Sequence, residues 1–494
     1  MSADPIKTYD ARWEVVEFDD VAVRRLFTAA LTYGRELGAD TVVLTRDARL
    51  AAGHTLELGL EAALRLGWRV VWRPEPISTP QAYFTTHWAT VRWPGTIGLA
   101  VTASHNPAGY IGVKFTVPAV RAVGLDCGPQ GGLTRIRALY HDGPLDPARD
   151  GGELLTPDLR AEYEAYSLAT AGVAPGSLAG LAVVLDTFNG SAGPELYSIL
   201  TAAGVRLHTR RLVPDGTFPT GSPNPTSQGK LDASLDLLAA TGADVLLGVD
   251  GDGDRLVFGS GRGLLTAGFA MLGVLAAAGL PTGAKVLYDP KVSPLALAAW
   301  GELGLEPILF RNGHSQIKDY MLATGALAAA EESGHYYHRL TLDGVSIASE
   351  NSAVTALLFL RAVHSDPGLL ARLHDAQATA YTTGEFNYQF ADDPTRDAAL
   401  AALCALAAER GASAQTHSDD GQDLEGTALS WGVRALHPGV ELSEGWWSGY
   451  VRAATTEPAV ARAYWSAGDA AVGQQLEAET RALWAERFGG QVVE

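Results

Sequence analysis

The sequence predicts an α/β protein: three related α/β domains, each on a mainly parallel sheet, then a smaller C-terminal α+β domain. Three observations carry this. Short β-rich runs alternate with longer helical patterns over most of the 494 residues, the signature of parallel sheets covered by helices. One local pattern, an apolar strand followed by an Asp, a polar loop and a helix, occurs three times. Past about Ala378 the pattern changes to strand, helix, two strands and helix.

The three copies come in order. Thr41-Val42-Val43-Leu44-Thr45 runs into Arg46-Asp47-Ala48-Arg49. Ala182-Val183-Val184-Leu185 runs into Asp186-Thr187-Phe188-Asn189-Gly190. Lys285-Val286-Leu287-Tyr288 runs into Asp289-Pro290-Lys291. The apolar stretch Phe269 to Leu280 is too short to span a bilayer and reads as a buried helix. In the C-terminal part, helices are expected over Asp397 to Arg410 and Ala470 to Arg487, with strands around Leu429 to Leu436 and Trp446 to Arg452. Gly and polar residues cluster near Arg149–Thr156, Gly259–Gly263 and Ala376–Gly384, which read as linkers. The expected domains are therefore 1–153, 154–262, 263–378 and 379–494.

Composition narrows the function classes. A length of 494 residues is too much for one core. The formal charge is −19, which argues against a nucleic-acid or anionic-membrane partner, since both need a basic face. Cys127 and Cys404 are far apart and have no paired spacing. This disfavours a disulfide framework or a zinc site and fits the reducing cytoplasm. The first ten residues have no apolar core and do not read as a signal peptide.

Two segments carry the chemistry. Thr102-Ala103-Ser104-His105-Asn106-Pro107 places a hydroxyl in a tight polar loop directly after the apolar run Ile97 to Val101. His105 and Asn106 bring hydrogen-bonding groups, Gly109 and Gly112 allow close backbone approach, and Lys114 follows. A serine is a weak nucleophile until a base activates it, and a phosphorylated serine needs a cation to become a good leaving group. By itself the segment fits an inert Ser/Asn-Pro turn equally well. The second segment, Asp250-Gly251-Asp252-Gly253-Asp254-Arg255, sets three carboxylates at alternate positions after Val245 to Val249. Hard divalent cations take such oxygen ligands. An EF-hand is excluded, because its sixth and twelfth positions here are Arg255 and Gly261 rather than Gly and Glu. Three carboxylates this close repel one another unless a cation is present. A serine that carries phosphate beside a carboxylate cage for a cation points to phosphoryl transfer.

Two further loops are weaker signals. Glu331-Glu332-Ser333-Gly334-His335 offers groups for vicinal sugar hydroxyls and a histidine suited to proton transfer. Arg452-Ala453-Ala454-Thr455-Thr456 offers an Arg and two hydroxyls for a phosphate. Alone, each is also an ordinary loop.

In this order and spacing, the four loops resemble the α-D-phosphohexomutase family, in particular its bacterial phosphomannomutase/phosphoglucomutase branch. Tyr9-Asp10-Ala11-Arg12, Arg46-Asp47-Ala48-Arg49, Phe218-Pro219 with Pro223-Asn224-Pro225, and Gly313-His314-Ser315 with Lys318 are similar to further family segments. The likeness covers nearly the whole chain. It implies four domains around a central cleft, with a phosphoserine at Ser104 and Mg²⁺ held by Asp250, Asp252, Asp254 and the Ser104 phosphate. It implies sugar hydroxyls on Glu331 and Ser333, and the non-reacting phosphate on Arg452, Thr455 and Thr456. Arg12, Lys114, Arg255 and His335 would line the reacting centre, Lys114 and His335 being the candidates for acid–base work. The implied reaction moves phosphate between the 1- and 6-positions of a glucose or mannose phosphate through a bisphosphate, with glucose 1,6-bisphosphate as activator and the enzyme a monomer or homodimer. Phosphoglucosamine mutase, sugar-phosphate phosphatase and a non-catalytic sugar-phosphate sensor are the alternatives.

The sequence departs from the family pattern at four places. Ala454 replaces a usual Ser, Ile111 replaces a usual Asn, and Leu340 to Glu350 is longer than usual. Arg462 is displaced by one residue from a common Arg position, which on a strand is expected to turn it to the other face.

Overall fold

The computed structural model describes residues 4–435, 439–454 and 457–493. The chain forms two compact units, neither of them continuous in sequence. The first comprises Met1–Leu264, Gly313–Gly325 and Ser333–Asp366, and the second Leu265–Asn312, Ala326–Glu332 and Pro367–Glu494. Among the described residues no helix is long and apolar enough to cross a membrane.

The first unit holds two sheets. In one, Thr41–Arg46 lies parallel to both Arg69–Pro76 and Thr96–Val101. Thr96–Val101 is buried at every position, as a strand covered on both faces must be, and from Ile97 on its sequence is apolar rather than alternating. Tyr110–Val117 returns antiparallel beside it, and Ala11–Glu14 closes that edge, again antiparallel. In the other sheet Val245–Val249 and Arg206–Arg210 run parallel to Ala182–Asp186, and Leu256–Ser260 returns antiparallel beside Val245–Val249. Tyr336–Leu342 and Val345–Glu350 form a further antiparallel pair in this unit.

In the second unit Lys285–Tyr288 lies parallel to Glu306–Leu309 and Ala328–Ala330. The apolar stretch near Phe269 is a buried helix, Ala267–Ala278. The C-terminal part is an antiparallel seven-stranded sheet packed by the helices Asp393–Glu409 and Ala470–Ala482 over a core containing Trp447, Trp465 and Trp484. Its central hairpin, Asp423–Ala435 with Val440–Ala453, is longer than expected.

The threefold strand–Asp–loop–helix pattern is present. Strands ending at or just before Asp47, Asp186 and Asp289 lead to helices Leu50–Arg65, Gly193–Ala202 and Pro294–Glu302. All three Asp are buried, and each caps its own loop by accepting the N–H two residues on; Asp186 also takes Arg211 through two oxygens. The stretches read as linkers also carry strands. Glu153–Leu155 pairs with Arg69–Pro76, Leu256–Ser260 overlaps the second stretch, and Tyr381–Thr382 pairs with Val460–Ala467.

Candidate active site

The serine loop is the connection between the antiparallel strands Thr96–Val101 and Tyr110–Val117, with Ala100 opposite Lys114. Ser104 sits at φ 51°, a left-handed conformation costing a residue with a Cβ about 1–2 kcal/mol. The turn is held locally. The Ser104 N–H donates to Thr102 Oγ1 at 2.9 Å, and the Asn106 N–H to the Ala103 carbonyl at 3.0 Å. Arg12 donates to Asn106 Oδ1 at 3.1 Å and to Asp10 at 2.9 Å. Of the two glycines expected to permit close approach, Gly112 does so: a Cβ there would lie 2.2 Å from the Ala11 carbonyl oxygen and 2.8 Å from that of Thr102. Gly109 faces open space. It needs no glycine for packing, because the chain passes nothing there.

The Asp loop is built the same way, as the turn from Val245–Val249 into Leu256–Ser260, with Val249 opposite Leu256. Gly253 has φ 78°, and a Cβ there would meet Ala192 Cβ at 2.7 Å and Ser78 Cβ at 2.9 Å. Asp250, Asp252 and Asp254 are buried, and one oxygen from each lies within 4.8 Å of the others. Asp250 Oδ1 accepts the N–H of Gly253 and of Arg255 at 3.0 and 3.1 Å. Its Oδ2 faces Ser104 Oγ at 3.4 Å. Lys114 Nζ donates to Asp252 Oδ2 at 2.7 Å and Asp254 Oδ2 at 2.5 Å. Thr79 Oγ1 donates to Asp252 Oδ2 at 2.6 Å.

Electrostatics follow from this burial. Burial pushes the Asp250 carboxyl well above its usual range, and Asp252 and Asp254 add to the push. Burial acts the same way on Asp254, but Lys114 and His335 outweigh it and hold that carboxylate well below its usual range. For Lys114 burial favours the neutral amine, yet Asp252 and Asp254 override it and keep the ammonium charged. His105, 3.2 Å from Ser104 Oγ, is driven well below its ordinary pKa by burial and by Arg255 and Arg12. Asp252 Oδ1 is buried without a hydrogen-bond partner among the described residues. A bare buried carboxylate oxygen is costly unless a cation meets it. The all-oxygen donor set suits a hard divalent ion such as Mg²⁺.

His335 reaches this loop through the backbone. Arg255 and His335 form an antiparallel bridge, and the Leu256 N–H donates to the Gly334 carbonyl at 2.8 Å. His335 Nε2 then lies 3.4 Å from Asp254 Oδ1, and its Nδ1 lies 2.8 Å from Ser333 Oγ. Of the sequence-predicted residues, the first unit therefore brings together Arg12, Ser104, Lys114, the three Asp, Arg255, Ser333 and His335.

Glu331 and Arg452 belong to the second unit. Glu331 is buried and accepts Asn312 Nδ2 at 3.2 Å. Arg452 lies 4.0 Å from Glu385, which also pairs with Lys291 at 3.2 Å and Arg462 at 2.9 Å. The expectation for Arg462 is corrected. It stands directly opposite Arg452 on the neighbouring antiparallel strand, and opposed residues share a face. Counting along one strand missed this, since the cross-strand register decides the face. Thr455 and Thr456 lie outside the described residues.

Sequence reasoning gave no role to Arg49, Thr79, Lys291 or Glu385. Arg49 was visible only as part of a motif, and the other three become legible only when distant segments meet.

Family models match most of the chain. Those described as phosphoglucomutase/phosphomannomutase, alpha/beta/alpha domains I, II and III match residues 4–122, 164–263 and 267–381. A phosphomannomutase of Salmonella typhimurium is 30% identical over 493 residues, covering 97% of this chain and 98% of its own. A protein of Xanthomonas campestris described as phosphohexose mutases is 29% identical over 491 residues, covering 98% and 99%. The crystal structure of a phosphoglucomutase/phosphomannomutase family protein from Burkholderia thailandensis superposes with a TM-score of 0.79 at 24% identity over the full length of both chains.

Proposed function

The chain belongs to the phosphoglucomutase/phosphomannomutase family, and from that premise we propose that it is a phosphohexomutase that interconverts the 1- and 6-phosphates of glucose, mannose or both. The carrying observation is the Ser104 hydroxyl, held in a strained loop 3.4 Å from one carboxylate of a buried three-Asp cluster. Such a serine stores a phosphoryl group between two transfers.

In the forward transfer a P–O bond forms to the sugar oxygen and the P–O bond to Ser104 Oγ breaks. The sugar hydroxyl loses a proton and Ser104 Oγ gains one. His335 is the base we assign to the sugar hydroxyl: Asp254 holds its Nε2, and the proton reaches Nδ1 through the Ser333 hydroxyl bonded to it. Lys114 brings a positive charge to the transferring phosphoryl group, its ammonium donating to Asp252 and Asp254. Arg12 and Arg255 balance phosphate charge. Glu331 and Ser333 take sugar hydroxyls, and Arg452, with Thr455 and Thr456, the phosphate that is not reacting. Asp250, Asp252 and Asp254 would hold Mg²⁺, which when bound neutralises charge on the transferring phosphoryl group. The second transfer returns the other phosphate of the bisphosphate to Ser104.

The test is conversion of glucose 1-phosphate to glucose 6-phosphate, with Mg²⁺ and a trace of glucose 1,6-bisphosphate to prime Ser104. Turnover that EDTA stops and Ser104→Ala abolishes is expected. Release of inorganic phosphate without isomerisation would instead make the protein a phosphatase. Turnover of glucosamine phosphate alone would move it to that branch.

A further inference from the structure

Arg49 is buried, 1% exposed, and each of its five guanidinium N–H groups has a partner. Nε donates to Asp47 Oδ2 at 3.1 Å. One terminal nitrogen donates to the carbonyls of Pro107 at 2.6 Å and Tyr110 at 3.0 Å. The other donates to the carbonyls of Ser104 and Asn106, both at 2.7 Å. Four of the five bonds thus end on the segment Ser104–Tyr110. Asp47 is itself fixed, accepting the Arg49 N–H at 2.9 Å. The ring of Phe218 lies 5.1 Å from the guanidinium carbon.

We propose that Arg49 is a positioning residue for phosphoryl transfer: its guanidinium is the template on which the Ser104–Tyr110 loop takes its shape. This rests on the phosphoserine reading of Ser104. Three physical arguments support it. A non-glycine residue at positive φ persists only where its surroundings over-determine it, and a planar fork with five fixed donors imposes such a constraint. Four carbonyl oxygens gathered on a cation leave the loop's partial negative charges already neutralised before a phosphate arrives. Because trans peptides are planar, carbonyls turned toward Arg49 also turn the following N–H groups of His105 and Ala108 away from it. A lysine offers at most three donors without the fork, so Arg49→Lys strips at least one loop carbonyl of its partner while keeping the charge.

The experiment compares wild type with Arg49→Lys by steady-state kinetics, by the rate at which Ser104 takes phosphate from glucose 1,6-bisphosphate, and by Mn²⁺ binding to the dephosphorylated protein. The expected result is a kcat lower by about a hundredfold, the scale of a misplaced reacting group. KM for glucose 1-phosphate should change less than about threefold, since Arg49 makes none of the sugar contacts assigned above. Phosphate uptake should slow with kcat, while Mn²⁺ binding stays as in wild type, reporting an intact Asp loop. A kcat within threefold of wild type, or a loss carried wholly by KM, would overturn the proposal. Should the variant not fold, wild-type hydrogen exchange decides. The Asn106 and Tyr110 amides, bonded to the Ala103 and Pro107 carbonyls, should exchange far more slowly in the unliganded protein than those of the exposed Asp419 and Asp420. Equal rates would overturn the proposal. A wild type that neither turns over substrate nor accepts phosphate on Ser104 defeats the phosphoserine reading instead, whatever the loop's exchange shows.

Discussion

Glu195 is a carboxyl whose task is structural and whose titration is measurable. It stands in the first turn of helix Gly193–Ala202 and accepts the Ser78 hydroxyl and N–H. Ser78 caps the helix Thr79–Arg92, whose Thr79 holds Asp252. Burial raises the Glu195 pKa from 4.5 to about 8, against the opposing Ser78 bonds and Arg73. The folded group therefore keeps its proton where the unfolded one has lost it. Its contribution to stability is complete below pH 4.5 and is lost as pH rises to about 8, at a slope of at most about 1.4 kcal/mol per pH unit. Glu195→Gln should flatten that part of the stability profile, as read by urea unfolding across the range. An unchanged slope would place the titration elsewhere. Ser104 and the three Asp were legible in sequence because alternating Asp–Gly and a Ser–His–Asn–Pro turn are local patterns with local chemistry. Arg49 and Glu195 were not, because their meaning lies in partners 55 and 117 residues away.

At the scale of elements, both reactive loops leave an interior strand and return antiparallel along its edge. The sequence expectation of strand, loop and helix holds for the loops after Asp47, Asp186 and Asp289. The loops bearing Ser104 and the Asp triplet instead turn back as hairpins. The apolar runs ahead of all five loops look alike, so local sequence could not tell the two kinds apart. The hairpin form makes Gly112 critical, since it passes between the Ala11 and Thr102 carbonyls. Gly112→Ala should destabilise the protein by about 1–3 kcal/mol, the usual cost of forcing atoms into a packed site. It should also lower kcat, because Arg12 lies directly opposite on the adjoining strand. Chemical denaturation with kinetics on the folded fraction separates the two effects. Wild-type stability in the variant would mean that the strands part more easily than their geometry suggests.

At the scale of the molecule, the compact units draw on separated stretches of chain. The first unit depends on residues that come late. Lys318 Nζ bonds Tyr83 and Glu350, each at 2.9 Å, Asn351 takes the Tyr163 hydroxyl, and the Val345 carbonyl meets the His87 ring. Leu340 and Ile347 pack with Tyr83 and Val120. A fragment ending at Leu264 keeps Tyr83, His87 and Tyr163 but loses these partners, at about 1–3 kcal/mol for each buried polar group left unmet. It should lack native near-ultraviolet circular dichroism. A fragment with a native spectrum would show that the later segments are decoration. The same interleaving sets a timetable at the ribosome. With synthesis at roughly 5–20 residues per second, the stretch Ser333–Asp366 is completed about 5–20 s after Leu264. For about the first two-thirds of that interval the nascent chain already carries its serine and its three aspartates but not His335, and throughout it the apolar and polar surfaces awaiting the late segments stay open to chaperones.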